Sequence, residues 1–162
     1  MARGAKQEAR DRPEYAVVPV GGGVVGDSSD LFELLRDLEL PAGDYAVFGS
    51  GPLIVRGIIR AGNDLDVICR GAAWERAQEL GPLLYLPEHD VNVVTLNEGA
   101  LTFGTRWAIG KFDVDDLIDT SEIIDGLPFV RLEHVIAYKQ IAGRPKDIEH
   151  LRLVENYQES ST

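Results

Sequence analysis

Apolar residues in SSDLFELLRDLEL recur at Leu31, Leu34, Leu35 and Leu38, the spacing of one helical face, behind the cap candidates Ser28, Ser29 and Asp30. Pro41 and Gly43 end that pattern. Tyr45 to Phe48 then reads as a short apolar strand running into Gly49, Ser50 and Gly51, and Pro52 suits the first turn of a helix reaching about Ile59. Asp64 to Cys69 alternates as a second strand, with Leu65, Val67 and Cys69 on one face and Asp64, Asp66 and Ile68 on the other.

Further along, the pattern predicts a helix from about Ala72 to Leu80, stopped by Gly81 and Pro82. Val91 to Leu96 and Ala100 to Phe103 read as strands joined by Asn97, Glu98 and Gly99, and a short helix is expected near Asp115 to Ile118. Leu132 to Ala142 reads as a helix ended by Gly143. A last helix starts near Pro145, carries Asp147 in its first turn, and is expected to bury Ile148, Leu151, Val154 and Tyr157. Residues 1–13 are charged and poor in apolar content, a tail composition, so one domain is expected over 14–162. Tyr15 to Val20 reads as a peripheral strand before the glycines at 21–23.

With 16 basic against 27 acidic residues the chain carries a formal charge of −11, which opposes extended nucleic acid and anionic membrane surfaces. A nucleotide is easier to accept as its divalent-cation complex. Cys69 is the single cysteine, so no internal disulfide forms; no apolar run reaches the length of a membrane span, and the polar start MARGAKQEARDRPE lacks the apolar core of a signal peptide. A cytoplasmic location is the expectation.

The chemistry concentrates in one stretch. Asp64 and Asp66 lie two residues apart on a strand, so their carboxylates share a side and can converge on one cation. Gly49 lets a phosphate approach the backbone, and Ser50 adds a hydroxyl donor. Lys139, Arg144 and Lys146 can reach phosphates, or simply complement the helix ends on which they sit. His89, His134 and His150 show no metal-ligand spacing, and Trp74 and Trp107 fit core positions.

The text VFGSGPLIVRGIIRAGNDLDVIC resembles the nucleotidyltransferase superfamily, whose signature is a Gly-Ser or Gly-Gly turn followed by Asp-x-Asp or Asp-x-Glu. LPFVRLEHVIAYKQIAGRPKDIEHLRLVE resembles the C-terminal helices of its small bacterial, minimal-nucleotidyltransferase-like members. The resemblance spans about residues 29–157 and implies an α+β nucleotidyltransferase fold, a mixed sheet with helices packed against it and C-terminal helices. It implies transfer of a nucleoside monophosphate from a nucleoside triphosphate to an acceptor, with Mg2+ or Mn2+ held by Asp64 and Asp66. These two would be the catalytic residues, and Gly49, Ser50, Lys139 and Lys146 would bind the nucleotide.

The family's third carboxylate, from a neighbouring strand, falls here near Asn92 or Thr102, neither of which ionises. Asp90, Glu98, Asp113 and Asp115 are the acids nearby in sequence. The alternative is therefore a catalytically degenerate nucleotide-binding module, or an antitoxin-like module that binds a protein partner. Gly21, Gly23 and Gly26 also match G-x-G-x-x-G after an expected strand, the fingerprint of a dinucleotide-binding oxidoreductase, but the next strand ends at Phe48 with no acid for a ribose.

Overall fold

The computed structural model describes residues 28–60, 62–106 and 111–160. Its centre is a mixed sheet built from seven strands among the described residues: β1 (Tyr45–Phe48), β2 (Leu65–Cys69), β3 (Leu83–Leu86), β4 (Val91–Leu96), β5 (Leu101–Gly104), β6 (Glu122–Ile124) and β7 (Leu127–Phe129). They lie in the order β3-β4-β5-β2-β1-β7-β6. β1 runs antiparallel to β2 and parallel to β7, and β2 runs parallel to β5. The class is α+β.

Side-chain alternation divides the core into two layers. One face carries Val47, Val67, Phe103 and Phe129, covered by α1 (Ser28–Asp37) and by α3 (Gly71–Leu80), which follows the single turn α2 (Gly51–Ile54). The other carries Ala46, Phe48 and Ile68, covered by α4 (Val114–Asp119), α5 (Leu132–Ala142) and α6 (Pro145–Ser160). Since Phe48 is the register partner of Asp66, that aspartate falls on the second face, beneath the C-terminal helices.

Several expectations are corrected. The helix after Pro52 ends at Ile54, and turns occupy the residues as far as Ile59. The hairpin β6–β7 was not foreseen because each strand has only three residues, although its turn, Asp125 and Gly126 with φ of 51° and 83°, is a hairpin dipeptide. β3 escapes the alternation rule: it is an edge strand of four apolar residues between prolines, with Leu83, Leu84 and Tyr85 about half exposed. On α6 Val154 is buried as expected but Ile148 is 61% exposed, because the helix meets the sheet on the side bearing Asp147 and Val154. Trp74 packs on the first layer, whereas Trp107, the glycine motif at 21–26, the expected strand at 15–20 and the tail at 1–13 lie outside the described residues.

Cys69 is fully buried on β2, and burial pushes its thiol up to about 12. Among the described residues no helix is long and apolar enough to cross a membrane. Phe129 of β7 meets Phe32 of α1 edge-on, with ring centroids 5.6 Å apart, and is itself fully buried. Phe129→Ala should therefore lower unfolding stability by about 3–5 kcal/mol. Urea denaturation checks this; a loss below about 1 kcal/mol would mean that α1 is not anchored through that ring.

Candidate functional site

Asp66 reaches the site because β1 and β2 pair antiparallel, which brings the end of β1 beside the start of β2. Gly49 follows Phe48 directly and adopts the left-handed region at φ 65°. A Cβ placed there would lie 2.7 Å from the Asp66 Oδ2. Glycine is thus required twice, by conformation and by the close approach of the carboxylate. Ser50 follows, its carbonyl accepting from the amides of Leu53 and Ile54. With α2 only four residues long, little helix dipole is available to a phosphate at this turn.

The positive charge comes instead from the α5–α6 corner. Lys139 shares the inward face of α5 with Val135, four residues earlier, and is only 2% exposed. Its Nζ lies 3.4 Å from the Ser50 Oγ and 3.4 Å from Asp147 Oδ1. Asp147, with no exposure at all, accepts from the Arg144 backbone amide at 3.1 Å and from the Arg144 Nε at 2.6 Å. It is the N-terminal helix acid the sequence implied, and it also anchors two cations. The corner turns at Gly143, whose φ of 60° ends α5.

The electrostatics follow from burial and from this crowding. Burial, and next the charge of Asp64, push the Asp66 carboxyl up to about 7, against the pull of Lys146, Arg144 and Lys139. Burial lowers the Lys139 ammonium to about 8, although Asp147 favours its charge. Burial also disfavours the Asp147 carboxylate, but the Arg144 hydrogen bonds and the Lys139 charge outweigh it and hold the group below the usual range. His150 is lowered to about 4 by burial, then by Lys139 and Lys146, and its Nδ1 is buried without a hydrogen-bond partner. The imidazole is neutral and contributes no charge to the corner.

Of the expected site residues, Gly49, Ser50, Asp66 and Lys139 form one contiguous group. Lys146 is exposed on α6 and within electrostatic reach of Asp66, as is Asp64, which is exposed just before β2. The exposed-helix-end reading holds for Lys146 but not for Lys139. The sequence offered Arg144 as a phosphate contact and Asp147 as a helix acid, but not their pairing with each other and with Lys139. Their signal was there: Lys139 lies four residues after a buried valine, and a buried lysine requires a buried acid.

Of Asn92 and Thr102, the two positions expected for a third carboxylate, only Thr102 lies beside Asp66. It is the register partner of Asp66 across β2–β5, whereas Asn92 alternates onto the opposite face and pairs with Tyr85. Three of the nearby acids are engaged by other groups, and the fourth, Glu98, lies in the turn whose Ala100 carbonyl accepts from the Leu65 amide. Asp90, at the far end of β4, accepts from the Tyr85 hydroxyl at 2.7 Å. Asp113 caps α4, and Asp115 pairs with Arg70 at 2.8 Å, four residues beyond Asp66 on the chain. Glu98 is exposed in the β4–β5 turn, at φ 57°. Among the described residues no group of three His, Cys, Asp or Glu side chains forms a metal-holding cluster.

Two outcomes are expected. Asp147→Ala should cost about 3–5 kcal/mol, since it strands Lys139 without its buried counter-charge. Lys139→Met, which fills the same space while leaving the Arg144 pair intact, should cost less. The order would be reversed if the lysine, rather than the acid, held the corner. The Asp66 contribution to metal-free stability should also fall as pH rises from about 4 to about 7, because folded Asp66 holds its proton more tightly than the unfolded chain does, a slope that His150, lowered to about 4, opposes in the total. Asp66→Asn should remove that slope; a wild-type-minus-variant difference independent of pH would overturn the assignment.

Compared with known protein families, curated proteins and solved structures, the chain matches none.

Proposed function

We propose that this protein is a nucleotide-binding module of nucleotidyltransferase type, taking a nucleoside triphosphate together with Mg2+ or Mn2+. The observation that supports this most strongly is the gathering of Lys139, Arg144 and Lys146 around Asp66 and the Gly49–Ser50 turn, in a chain whose net charge is −11. A local positive field in an acidic protein suits a compact polyanion. Gly49 and Ser50 would receive phosphate oxygens, with Lys139 and Arg144 fixed behind them by Asp147.

The donor set fits a hard divalent cation. Two carboxylates two residues apart, grouped with no third His, Cys, Asp or Glu among the described residues, suit an ion that keeps waters and shares oxygens with the phosphates rather than one held in an all-protein cage. Asp64 and Asp66 would hold it, and it would offset phosphate charge. Raised toward neutrality, Asp66 competes for it with a proton, so affinity should climb as pH passes through about 7.

Binding without turnover is favoured because Thr102 stands where a transferase of this type would present its third acid, and a threonine hydroxyl is not a general base at neutral pH. The retained Asp64 and Asp66 favour a second reading, transfer of a nucleoside monophosphate to an acceptor hydroxyl. Pyrophosphate release separates the two.

Titration calorimetry with MgATP should show binding that Gly49→Val abolishes, since the new side chain meets the Asp66 carboxylate and strains a left-handed residue. Ser50→Ala should cost about 1 kcal/mol, one hydrogen bond. Normal affinity in a folded Gly49→Val protein would refute the phosphate assignment, and steady pyrophosphate production would replace the binding reading with the transferase.

A further inference from the structure

On the second face of the sheet Phe48, Asp66, Thr102 and Thr95 form one row of register partners across β1, β2, β5 and β4. The phosphate cradle, made of Gly49, Ser50, Lys139 and Arg144, lies on the β1 side of Asp66. A ligand with its phosphates there and its metal at Asp66 has β5 and β4 as the continuation of the same sheet face. Adjacent strands are about 4.8 Å apart, so Asp66 to Thr95 spans about 10 Å. The row of side chains presented along that span is a carboxylate followed by two hydroxyls.

Both threonines are half-buried, and among the described residues neither hydroxyl has a hydrogen-bond partner. Cross-strand threonines can bond each other, yet no such bond joins this pair. Valine would serve the strands equally well, since both residues are β-branched. What threonine adds at both positions is a neutral group that donates and accepts but does not ionise near pH 7. Such groups can both donate to and accept from the hydroxyls of another molecule.

We propose that Thr95 and Thr102 form a subsite for the vicinal hydroxyls of a sugar ring held beside the phosphate cradle. The inference rests on the nucleotide-binding reading above. The ring is either the ribose of the bound nucleotide or a separate sugar, and ligand chemistry distinguishes them.

The experiment is titration calorimetry in Mg2+ with ATP, 2′,3′-dideoxyATP and inorganic tripolyphosphate, on the wild type, Thr95→Val, Thr102→Val, the double variant and Thr102→Ser. Circular dichroism confirms that each is folded. If the ribose occupies the subsite, ATP binds at least about fivefold tighter than dideoxyATP, the effect of one hydrogen bond. Each valine variant narrows that gap, Thr102→Ser keeps it, and tripolyphosphate binds equally well to all. If a separate sugar occupies it, ATP and dideoxyATP bind alike, and D-ribose added to the dideoxyATP-saturated protein gives a saturable heat that Thr102→Val removes. The proposal is overturned if ATP and dideoxyATP bind alike without a ribose heat, or if either preference survives in the double valine variant. Absence of tripolyphosphate binding to the wild type would instead sink the phosphate cradle itself, and the subsite with it.

Discussion

A carboxylate with no access to water, Asp147, holds the candidate site together. It lies at the first turn of α6, takes two kinds of hydrogen bond from Arg144, and faces the ammonium of a lysine buried on α5. Ions removed from water are costly, and a single carboxylate shared by two cations leaves one positive charge in surplus. That surplus is directed at Ser50 and Asp66, so the corner between the C-terminal helices fixes the electrostatic character of a site whose other half belongs to the sheet. Packing contributes as well: Tyr138, one residue before Lys139, stacks edge-on against Phe48 with centroids 5.0 Å apart, locking α5 over the end of β1.

Much of this arrangement was legible in the sequence because it depends on short-range rules. Alternation placed Asp66 opposite Leu65 and Val67; left-handed glycines at 49 and 143 fell where a turn and a helix end were expected. What was not legible depends on partners distant in the chain. Nothing local distinguishes Thr102 from Asn92 as the neighbour of Asp66, since that choice is made by the parallel pairing of β2 with β5. Nor does composition reveal that Lys139 is buried; exposed lysines are the rule, and the exception arises only once Asp147 is brought across the corner from the next helix. The hairpin β6–β7 lies at the limit of what periodicity can detect, because three residues do not make a period.

The site is also asymmetric. One flank of Asp66 is cationic and rigid, built from two helices and a glycine turn; the other is neutral and built on the sheet. Such a division orients a ligand that is itself divided into charged and uncharged parts, without a charge at its far end. It would also let a chain with 27 acidic residues receive an anion, since burial raises Asp66, the carboxyl facing the cations, toward neutrality.

Cys69 lies three residues beyond Asp66 on the same strand, fully buried, its thiol pushed far from ionisation. Because only the thiolate reacts readily, the native chain is inert to alkylating reagents at that position until the middle of the sheet opens. The cysteine is consequently a built-in clock for opening of the strand that carries the central carboxylate. A ligand that clamps Asp66 to the helical corner would slow that clock, reporting occupancy of the site without a label or an assay of chemistry.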